Sequence, residues 1–301
     1  MQLPFDEHGI LYRQRAVAVG VSATHLARAC DGGELERIAP GAYVASEPRS
    51  ATALHLLRAR TAAAKDPSLV FSHATAAVIH GLPMLKPELA RVEVISDRRP
   101  RRRTLRVHTG RIDITEVTTV GGLCVPSVEA TAVAVACTSH LGFAGALAVF
   151  DGALAQGASS SAITELLKPP RHGVATARCA FAHADALSAN PGESWGRAQI
   201  LEAGLPRPRL QHEFHDGRGR FVAQTDYDWD GRVVGEFDGY GKYEDYNCAG
   251  ATPIDVVRRE KKRQNRLESM QVTVIRWDWS DLENRRVVPR LRPRLVAAGL
   301  L

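Results

Sequence analysis

The N-terminal stretch combines helical spacing with a short hairpin pattern. The segment SATHLARACD places apolar residues on one helical face after Ser22, a residue type that caps helices. A glycine pair ends this helix, and ELERIAPGAYVA alternates like a hairpin that turns at Pro40-Gly41. Helix, glycine stop and small hairpin predict a winged helix-turn-helix over residues 1–66. A winged helix that serves only packing or dimerisation is the alternative to one that contacts DNA.

Residues 67–190 are expected to form a mixed helical middle region. ATAAVIHGL is helical, begins after Ser72 or His73 and ends near Gly81. Two strand-like stretches, RVEVIS and LRVHTG, flank an arginine run that we expect to be the loop of a hairpin. His73 and His80 are seven residues apart, which leaves a metal or catalytic role open, although capping and packing are favoured. The segment LSANPGES is the expected linker.

The last part, residues 191–301, alternates between helical and strand patterns. GESWGRAQILEAGL is an amphipathic helix, and LQHEF, FVAQTDYDW and RVVGEFDG are short β-rich stretches separated by glycine turns. A basic helix, DVVRREKKRQNRLESM, and a final strand, VTVIRWDW, complete an α/β/α order. The whole chain is therefore expected to be α+β.

Composition and charge agree with a globular protein that has a polyanionic partner. The 39 basic and 33 acidic residues give a net charge of +6, a mild excess that permits nucleic-acid binding without proving it. Five scattered cysteines contain no Cys-x-x-Cys pair, which argues against a disulfide framework and a zinc ribbon. The N-terminus lacks a signal-peptide pattern and no stretch is a convincing membrane span, so we expect a cytoplasmic protein without membrane contact.

The stretch TDYDWDGRVVGEFDGYGK concentrates carboxylates within a predicted hairpin. Glu236 and Asp238 are two apart on one strand and share a face, and Asp226 approaches them across the turn at Asp230-Gly231. Clustered carboxylates repel unless a cation lies between them, so we predict a Mg²⁺ (or Mn²⁺) site with Asp226 and Glu236 as ligands. Asp228 and Asp230 are expected to be turn or surface residues outside the site.

Two family resemblances add to this interpretation. The N-terminal domain resembles that of the AbiEi family of antitoxins, and SLVFSHATAAVIHGL resembles the middle of the same proteins. The residues of the shared N-terminal motif are Gly20, Leu26, Gly33, Leu35, Arg37, Gly41 and Tyr43. From about residue 192 the order of elements is similar to the PD-(D/E)XK nuclease core, most closely to domains related to very-short-patch repair endonucleases. This implies a restriction-endonuclease-like fold for the C-terminal domain.

The nuclease resemblance assigns roles to individual residues. An acid on the first core helix often completes the site, which implicates Glu193. The superfamily places a lysine two residues beyond the strand acid, but Asp238 stands there. GEFDGYGKY resembles the variant E-F-D-G-x-x-K-Y, in which Lys242 takes the lysine's role. The predicted catalytic set is Glu193, Asp226, Glu236, Asp238 and Lys242.

Basic residues in all three regions are candidates for contact with the nucleic-acid backbone. Their alternative role is an ordinary solvated surface. The candidates are Arg28, Arg37, Arg101, Arg102, Arg103, Arg259, Lys262, Arg263 and Arg266.

The leading hypothesis is a DNA-binding protein with a metal-dependent endonuclease-like domain, acting in defence against foreign DNA. The first alternative is a transcriptional autoregulator or antitoxin that has a cognate toxin as partner and an inactive nuclease fold. The second alternative is an RNA-processing enzyme that uses the same site on a different polymer.

Overall fold

The computed structural model describes residues 3–96, 105–109, 117–239 and 270–301. The chain is a mixed α/β protein that divides into two compact units. The first comprises residues 1–82 and 86–135, and the second comprises residues 83–85 and 136–301. The predicted boundary at 190/191 falls inside the second unit. In the ranges described, no helix has the length and apolar character needed to cross a membrane.

The N-terminal part of the first unit is a small sheet with two helices, in the strand order β1-β3-β2. Its elements are β1 (Leu11–Tyr12), α1 (Arg13–Ala18), α2 (Ala23–Asp31), β2 (Leu35–Ala39) and β3 (Ala42–Ala45). Ser22 caps α2 by accepting a hydrogen bond from the His25 amide at 3.1 Å. Strands β2 and β3 pair antiparallel around Gly41, whose φ is +74°. The predicted cap and hairpin are therefore confirmed.

The rest of the first unit is built on a five-stranded sheet in the order β6-β5-β4-β8-β7. Its elements are α3 (Ala51–Lys65), β4 (Val70–Phe71), α4 (His73–His80), β5 (Val92–Ser96), β6 (Leu105–Thr109), β7 (Val117–Val120), β8 (Leu123–Pro126) and the start of α5 (Val128–Thr138). Helix α4 ends at Gly81, which adopts the left-handed conformation, as the sequence predicts.

One prediction for this sheet is wrong. The stretches around the arginine run were expected to form a hairpin, whose strands are antiparallel. Strands β5 and β6 instead pair in parallel, with Val92 beside Leu105 and Ser96 beside Thr109. Alternation of apolar and polar residues gives the face of a strand but not the direction of its partner.

The second unit joins a helical layer to a four-stranded sheet. Its helices are α6 (Gly142–Ala155), α7 (Ser160–Leu167), α8 (Val174–Phe181), α9 (Pro191–Glu202), α10 (Trp279–Glu283) and α11 (Val287–Ala297). Its strands are β9 (Arg209–His215), β10 (Phe221–Trp229), β11 (Val233–Asp238) and β12 (Thr273–Asp278), in the order β12-β11-β10-β9. Strands β9, β10 and β11 are antiparallel, whereas β12 pairs in parallel with β11.

Helix α9 lies unusually close to one face of this sheet. A Cβ atom added to Gly192 would lie 2.2 Å from the Phe237 ring, and one added to Gly196 would lie 2.8 Å from the Tyr227 hydroxyl. The Tyr227 hydroxyl donates a hydrogen bond to the carbonyl of Glu193. Glycines one helical turn apart therefore let the helix backbone touch the aromatic side chains of the sheet.

Helix α9 is also held by a buried ion pair. Arg197 and Asp151 of α6 are each 1% exposed, and Arg197 Nη2 donates to Asp151 Oδ2 at 2.6 Å. The same oxygen accepts from the Ser194 hydroxyl at 2.6 Å. Burial raises the pKa of Asp151, and the guanidinium and the hydroxyl oppose that shift. The pair joins α6 to α9.

Gly235→Ala should strongly destabilise the second unit. The new methyl group would lie 2.4 Å from the ring of Trp277, which is buried, so overpacking should cost about 1–3 kcal/mol. The free energy of unfolding in urea measures this. Gly217→Ala, which meets nothing within 4 Å, is the control and should change stability little. Equal stability of the two variants would contradict the packing described for α9 and its sheet.

Asp151→Ala should cost about 3–5 kcal/mol of unfolding free energy, because it leaves the Arg197 guanidinium buried without its partner. Asp185→Ala is the matched control, since the Asp185 carboxylate is partly exposed and 3.9 Å from Arg197 Nη1. That variant should lose less than about 1 kcal/mol. Chemical denaturation of both proteins compares the two losses, and similar losses would refute the dominant role of the buried pair.

Candidate functional site

Glu193 is fixed at the N-terminus of α9. Asn190 caps this helix by accepting hydrogen bonds from the amides of Gly192 at 2.9 Å and Glu193 at 3.1 Å. The Glu193 carboxylate, in turn, accepts from the amide of Ala189 at 2.8 Å and from the side chain of Asn190 at 2.7 Å. This arrangement resembles a reciprocal cap, and the helix dipole favours the negative charge there.

The strand registers align three charged residues across the sheet. Strand β10 pairs Tyr227 with Gly235 of β11, so Asp226 lies opposite Glu236. Strand β11 pairs Glu236 directly with Arg276 of β12. Paired residues on neighbouring strands project to the same face about 5 Å apart. Asp226, Glu236 and Arg276 therefore form one cross-strand row.

Gln211 extends this row to the edge strand β9 and links it to the helix. The β9–β10 pairs on either side of it place Gln211 opposite Asp226. Its side-chain nitrogen donates to Glu193 Oε2 at 3.3 Å and to Asp226 Oδ1 at 3.4 Å. The two carboxylate oxygens are therefore no farther apart than the sum of these distances. Gln211 has a φ of +49°, a backbone conformation that costs energy in a non-glycine residue and is frequent at functional sites.

Glu236 is turned towards a protein cation. Its side chain is buried, and its Oε2 accepts a hydrogen bond from Arg276 Nε at 2.9 Å. Asp226 uses its second oxygen to accept from the Phe237 amide at 2.7 Å. Asp238 is exposed at the end of β11. The predicted hairpin thus brings Asp226 beside Glu236 and leaves Asp238 at the strand end.

The predicted metal ligands, Asp226 and Glu236, fit a divalent cation in part. Carboxylate and amide oxygens suit Mg²⁺, which is commonly held by one or two carboxylates together with substrate phosphates. Glu193 and Asp226 each supply one such oxygen within 3.4 Å of the same Gln211 nitrogen. Across residues 3–96, 105–109, 117–239 and 270–301, no group of three or more His, Cys, Asp and Glu side chains is arranged to hold a metal ion. Glu236 could join the first two only after leaving Arg276.

Asp228 was expected to be a turn or surface residue, and it is a buried residue that stabilises the turn. It is 1% exposed and forms an ion pair with Arg209 of β9. It also accepts from the amide of Gly231 at 2.9 Å, which stabilises the tight turn of the hairpin. Asp230 in that turn is exposed, as predicted, with a φ of +56°. The ion pair depends on the register between β9 and β10, which the residues around Asp228 in the sequence do not determine.

Many predicted cationic contacts lie outside the described residues. This applies to Lys242 of the catalytic set and to Arg101, Arg102, Arg103, Arg259, Lys262, Arg263 and Arg266. Arg28 on α2 and Arg37 on β2 are described, and both are exposed. Gln211, Arg276 and Arg209 have no signal in the sequence that marks them as neighbours of the carboxylates. Alternation of apolar and polar residues predicts strands β9 and β12. Nothing in the sequence indicates which side chains these three residues face in the folded chain.

A second polar cluster surrounds Glu93 in the first unit. Glu93 accepts from the Ala74 amide at 2.9 Å and lies 3.2 Å from His108 Nε2. The His108 ring stacks on His73 with centroids 3.5 Å apart, and His73 has a φ of +48°. His80 instead contacts the carbonyl of Pro126. His73 and His80 thus make separate contacts, which favours packing roles for the pair.

Burial lowers the pKa of His73 to about 4, helped by His108 and Arg106 and opposed by Glu93. The folded protein therefore keeps this ring neutral, whereas the unfolded chain binds a proton below pH 6.5. Stability should fall as the pH drops from 6.5 to about 4, by at most about 3 kcal/mol from this residue. The pKa of Glu93 is also lowered, so its contribution is likewise lost on acidification.

His73→Asn should reduce that pH dependence, because asparagine tolerates a positive φ and does not titrate. The measurement is the free energy of unfolding at pH 7 and at pH 4.5 for wild type and variant. His25→Asn on the exposed face of α2 is the control and should follow wild type. A variant whose stability falls as steeply as that of wild type would exclude His73 as a source of the effect.

No protein-family model and no curated protein sequence matches this chain.

Proposed function

We propose that this chain is a DNA-binding protein whose second unit hydrolyses phosphodiester bonds with a divalent cation. The observation that carries the proposal is the contact of one Gln211 nitrogen with both Glu193 and Asp226. It brings an oxygen from a helix and an oxygen from a strand within 3.4 Å of one donor at the sheet edge. The Gln211 donor offsets the repulsion between them, and a bound cation would offset it further.

Glu193 and Asp226 are the proposed cation ligands. A bound Mg²⁺ or Mn²⁺ supplies charge to the phosphoryl oxygens and makes a bound water more acidic. The chain's own contribution is orientation: the Asn190 cap fixes Glu193, and the Phe237 amide fixes Asp226. Both carboxylates therefore keep their positions before a substrate arrives, which lowers the cost of reorganisation during the reaction. Glu236 and Asp238 remain proposed members of the site, and Lys242 remains a proposed cationic one.

The fold supports this proposal in its order of elements. A helix, three antiparallel strands and a further strand parallel to the third fit the restriction-endonuclease-like core expected from the sequence. We also propose that the small sheet and the helices α1 and α2 form a winged helix. Exposed Arg28 and Arg37 on α2 and β2 would then contact the DNA backbone. Following the AbiEi resemblance, the proposed setting is defence against foreign DNA.

A second candidate is a regulator that binds DNA without cleaving it, with a cognate toxin as partner. The ion pair between Glu236 and Arg276 favours it, because a carboxylate neutralised by a protein cation is not available to a metal ion. The two candidates share DNA binding and differ in hydrolysis. A cleavage assay on purified protein therefore separates them.

Wild-type protein should cleave plasmid DNA with Mg²⁺ or Mn²⁺ and not with EDTA, and Asp226→Asn should slow cleavage at least about 100-fold. The matched control is Asp230→Asn in the exposed turn of the same hairpin, where asparagine suits the positive φ. It should cleave at the wild-type rate. Titration of Mn²⁺ by calorimetry should show binding to wild type and Asp230→Asn and weaker binding to Asp226→Asn.

Absence of cleavage by wild type with either metal would favour the regulator. Equal Mn²⁺ affinity in wild type and Asp226→Asn would remove Asp226 from the cation site. The RNA-processing alternative is tested by replacing the plasmid with single-stranded RNA of mixed sequence under the same conditions.

A further inference from the structure

We propose that a cavity in the first unit binds a small organic anion, a molecule with an apolar body and one carboxylate or phosphate group. The cavity has a volume of about 510 Å³. Ligand sites in proteins typically measure roughly 300–1,000 Å³. All residues that line the cavity belong to the first unit, so the site is separate from the carboxylates proposed for hydrolysis in the second unit.

Apolar side chains from three strands form much of the cavity wall. Ile38 lies on β2, Val92 on β5 and Leu105 on β6, and all three are buried in the unit. Helix α3 lines the cavity with Ala62, whose short side chain occupies little of the space. Walls of this kind gain free energy when an apolar group replaces water beside them. They therefore favour a ligand with an apolar body over a bare ion.

Three cationic side chains line the same cavity. Arg58 and Lys65 lie on α3, and Arg91 comes immediately before β5. Arg58 and Lys65 are seven residues apart, which places them on one face of the helix about two turns from each other. Among the described residues that line the cavity, none is acidic. The lining thus carries positive charge that the anionic group of a ligand would offset.

The two arginines of the cavity lack the carboxylate partners that other arginines of the chain have. Within the part of the chain that the structure describes, Arg58 and Arg91 make no hydrogen bond or ion pair, although Arg58 is half-buried. Arg197, Arg209 and Arg276, by contrast, each pair with a carboxylate. Arginine is seldom buried without a partner, because desolvating its charge costs free energy. An anion in the cavity would supply that partner.

The charge of Arg58 acts on the interior of the first unit. Arg58 lies one turn from His55, whose buried ring contacts the Leu89 carbonyl at 3.0 Å and the Thr75 hydroxyl at 2.8 Å. Burial lowers the pKa of His55, the Leu89 carbonyl opposes that shift, and Arg58 lowers the pKa further. The positive potential of Arg58 therefore reaches beyond its own side chain, where an anion would also respond to it.

The combination of walls and cations distinguishes this site from a surface that binds a nucleic-acid backbone. Backbone phosphates and sugars are bound by cationic and polar groups, and they offer no apolar body to fill a cavity. Guanidinium groups match the geometry of carboxylates and phosphates. The cavity therefore fits a ligand with its anionic group beside the two arginines and an apolar ring or short chain against the strands.

Titration calorimetry on the full chain tests this inference, with naphthyl phosphate and naphthoate as probes. We expect saturable binding of at least one probe, and the tighter of the two identifies the anionic group. Naphthol, which lacks the charge, and inorganic phosphate, which lacks the apolar body, should each bind at least about tenfold more weakly. Absence of saturable binding by both probes overturns the inference, as does equal affinity for the tighter probe and either control compound.

Arg58→Gln and Arg91→Gln should each weaken binding of the tighter probe by about 10- to 100-fold, because each removes a charge-assisted hydrogen-bond donor. Arg15→Gln on α1 is the matched control, since it removes the same charge from an exposed residue that does not line the cavity. It should bind the probe as wild type does. Equal losses in Arg58→Gln and Arg15→Gln overturn the inference, because net charge rather than the cavity would then govern binding.

Ala62→Phe tests the cavity itself, because it adds a ring to the wall and keeps all three cations. This variant should lose binding of both probes while its melting temperature shows that it is folded. Unchanged affinity in the folded variant overturns the inference, and the arginine variants decide the matter if it does not fold.

A short DNA duplex, added as a competitor, should leave the probe bound to wild type. Displacement of the probe by the duplex overturns the inference and assigns Arg58 and Arg91 to the nucleic-acid backbone. None of these measurements involves cleavage, so the proposed function and this site can fail separately.

Discussion

The close approach of α9 to the sheet is the constraint on which the second unit depends. Gly192 and Gly196 allow the helix backbone to meet Phe237, Tyr227 and Trp277 without intervening side chains. The next positions, Glu193 and Arg197, lie one turn apart on an adjoining face of the helix. The Glu193 carboxylate contacts Gln211 of β9, and the Arg197 guanidinium pairs with Asp151 of α6. The same helix therefore packs in the core against the sheet, contributes Glu193 to the proposed site and binds α6 through Arg197.

The same constraint explains why polar groups can be held rigidly at this edge. Three of the proposed site carboxylates are positioned by hydrogen bonds from the chain: Glu193 by its cap, Asp226 by a β11 amide and Glu236 by Arg276. The donors to Asp226 and Glu236 belong to strands of the sheet, and the donor to Glu193 is the residue that caps α9. Gln211 also donates to Glu193 and Asp226, from a strand position with a positive φ.

Local features were predictable from the sequence, whereas pairings were not. The Asp230-Gly231 turn, the Ser22 cap and the glycine end of α4 follow from residues within a few positions of one another. The direction of β6 beside β5, the ion pair of Asp228 with Arg209, and the alignment of Gln211 and Arg276 with Asp226 and Glu236 depend on strands that meet across the fold. Residue spacing identified Asp226, Glu236 and their shared hairpin, but not the partner that each carboxylate has in the folded chain.

The buried Asp151–Arg197 pair has a consequence for how such a protein can be rearranged in evolution. A recombination event that joined residues 191–301 to an unrelated partner would transfer the arginine without its aspartate and bury an unmatched charge. A crossover near residue 136 would transfer both, along with α6. The unit that can move intact between genes is thus longer than the stretch that carries the proposed chemistry, and the helices before α9 must be inherited together with it.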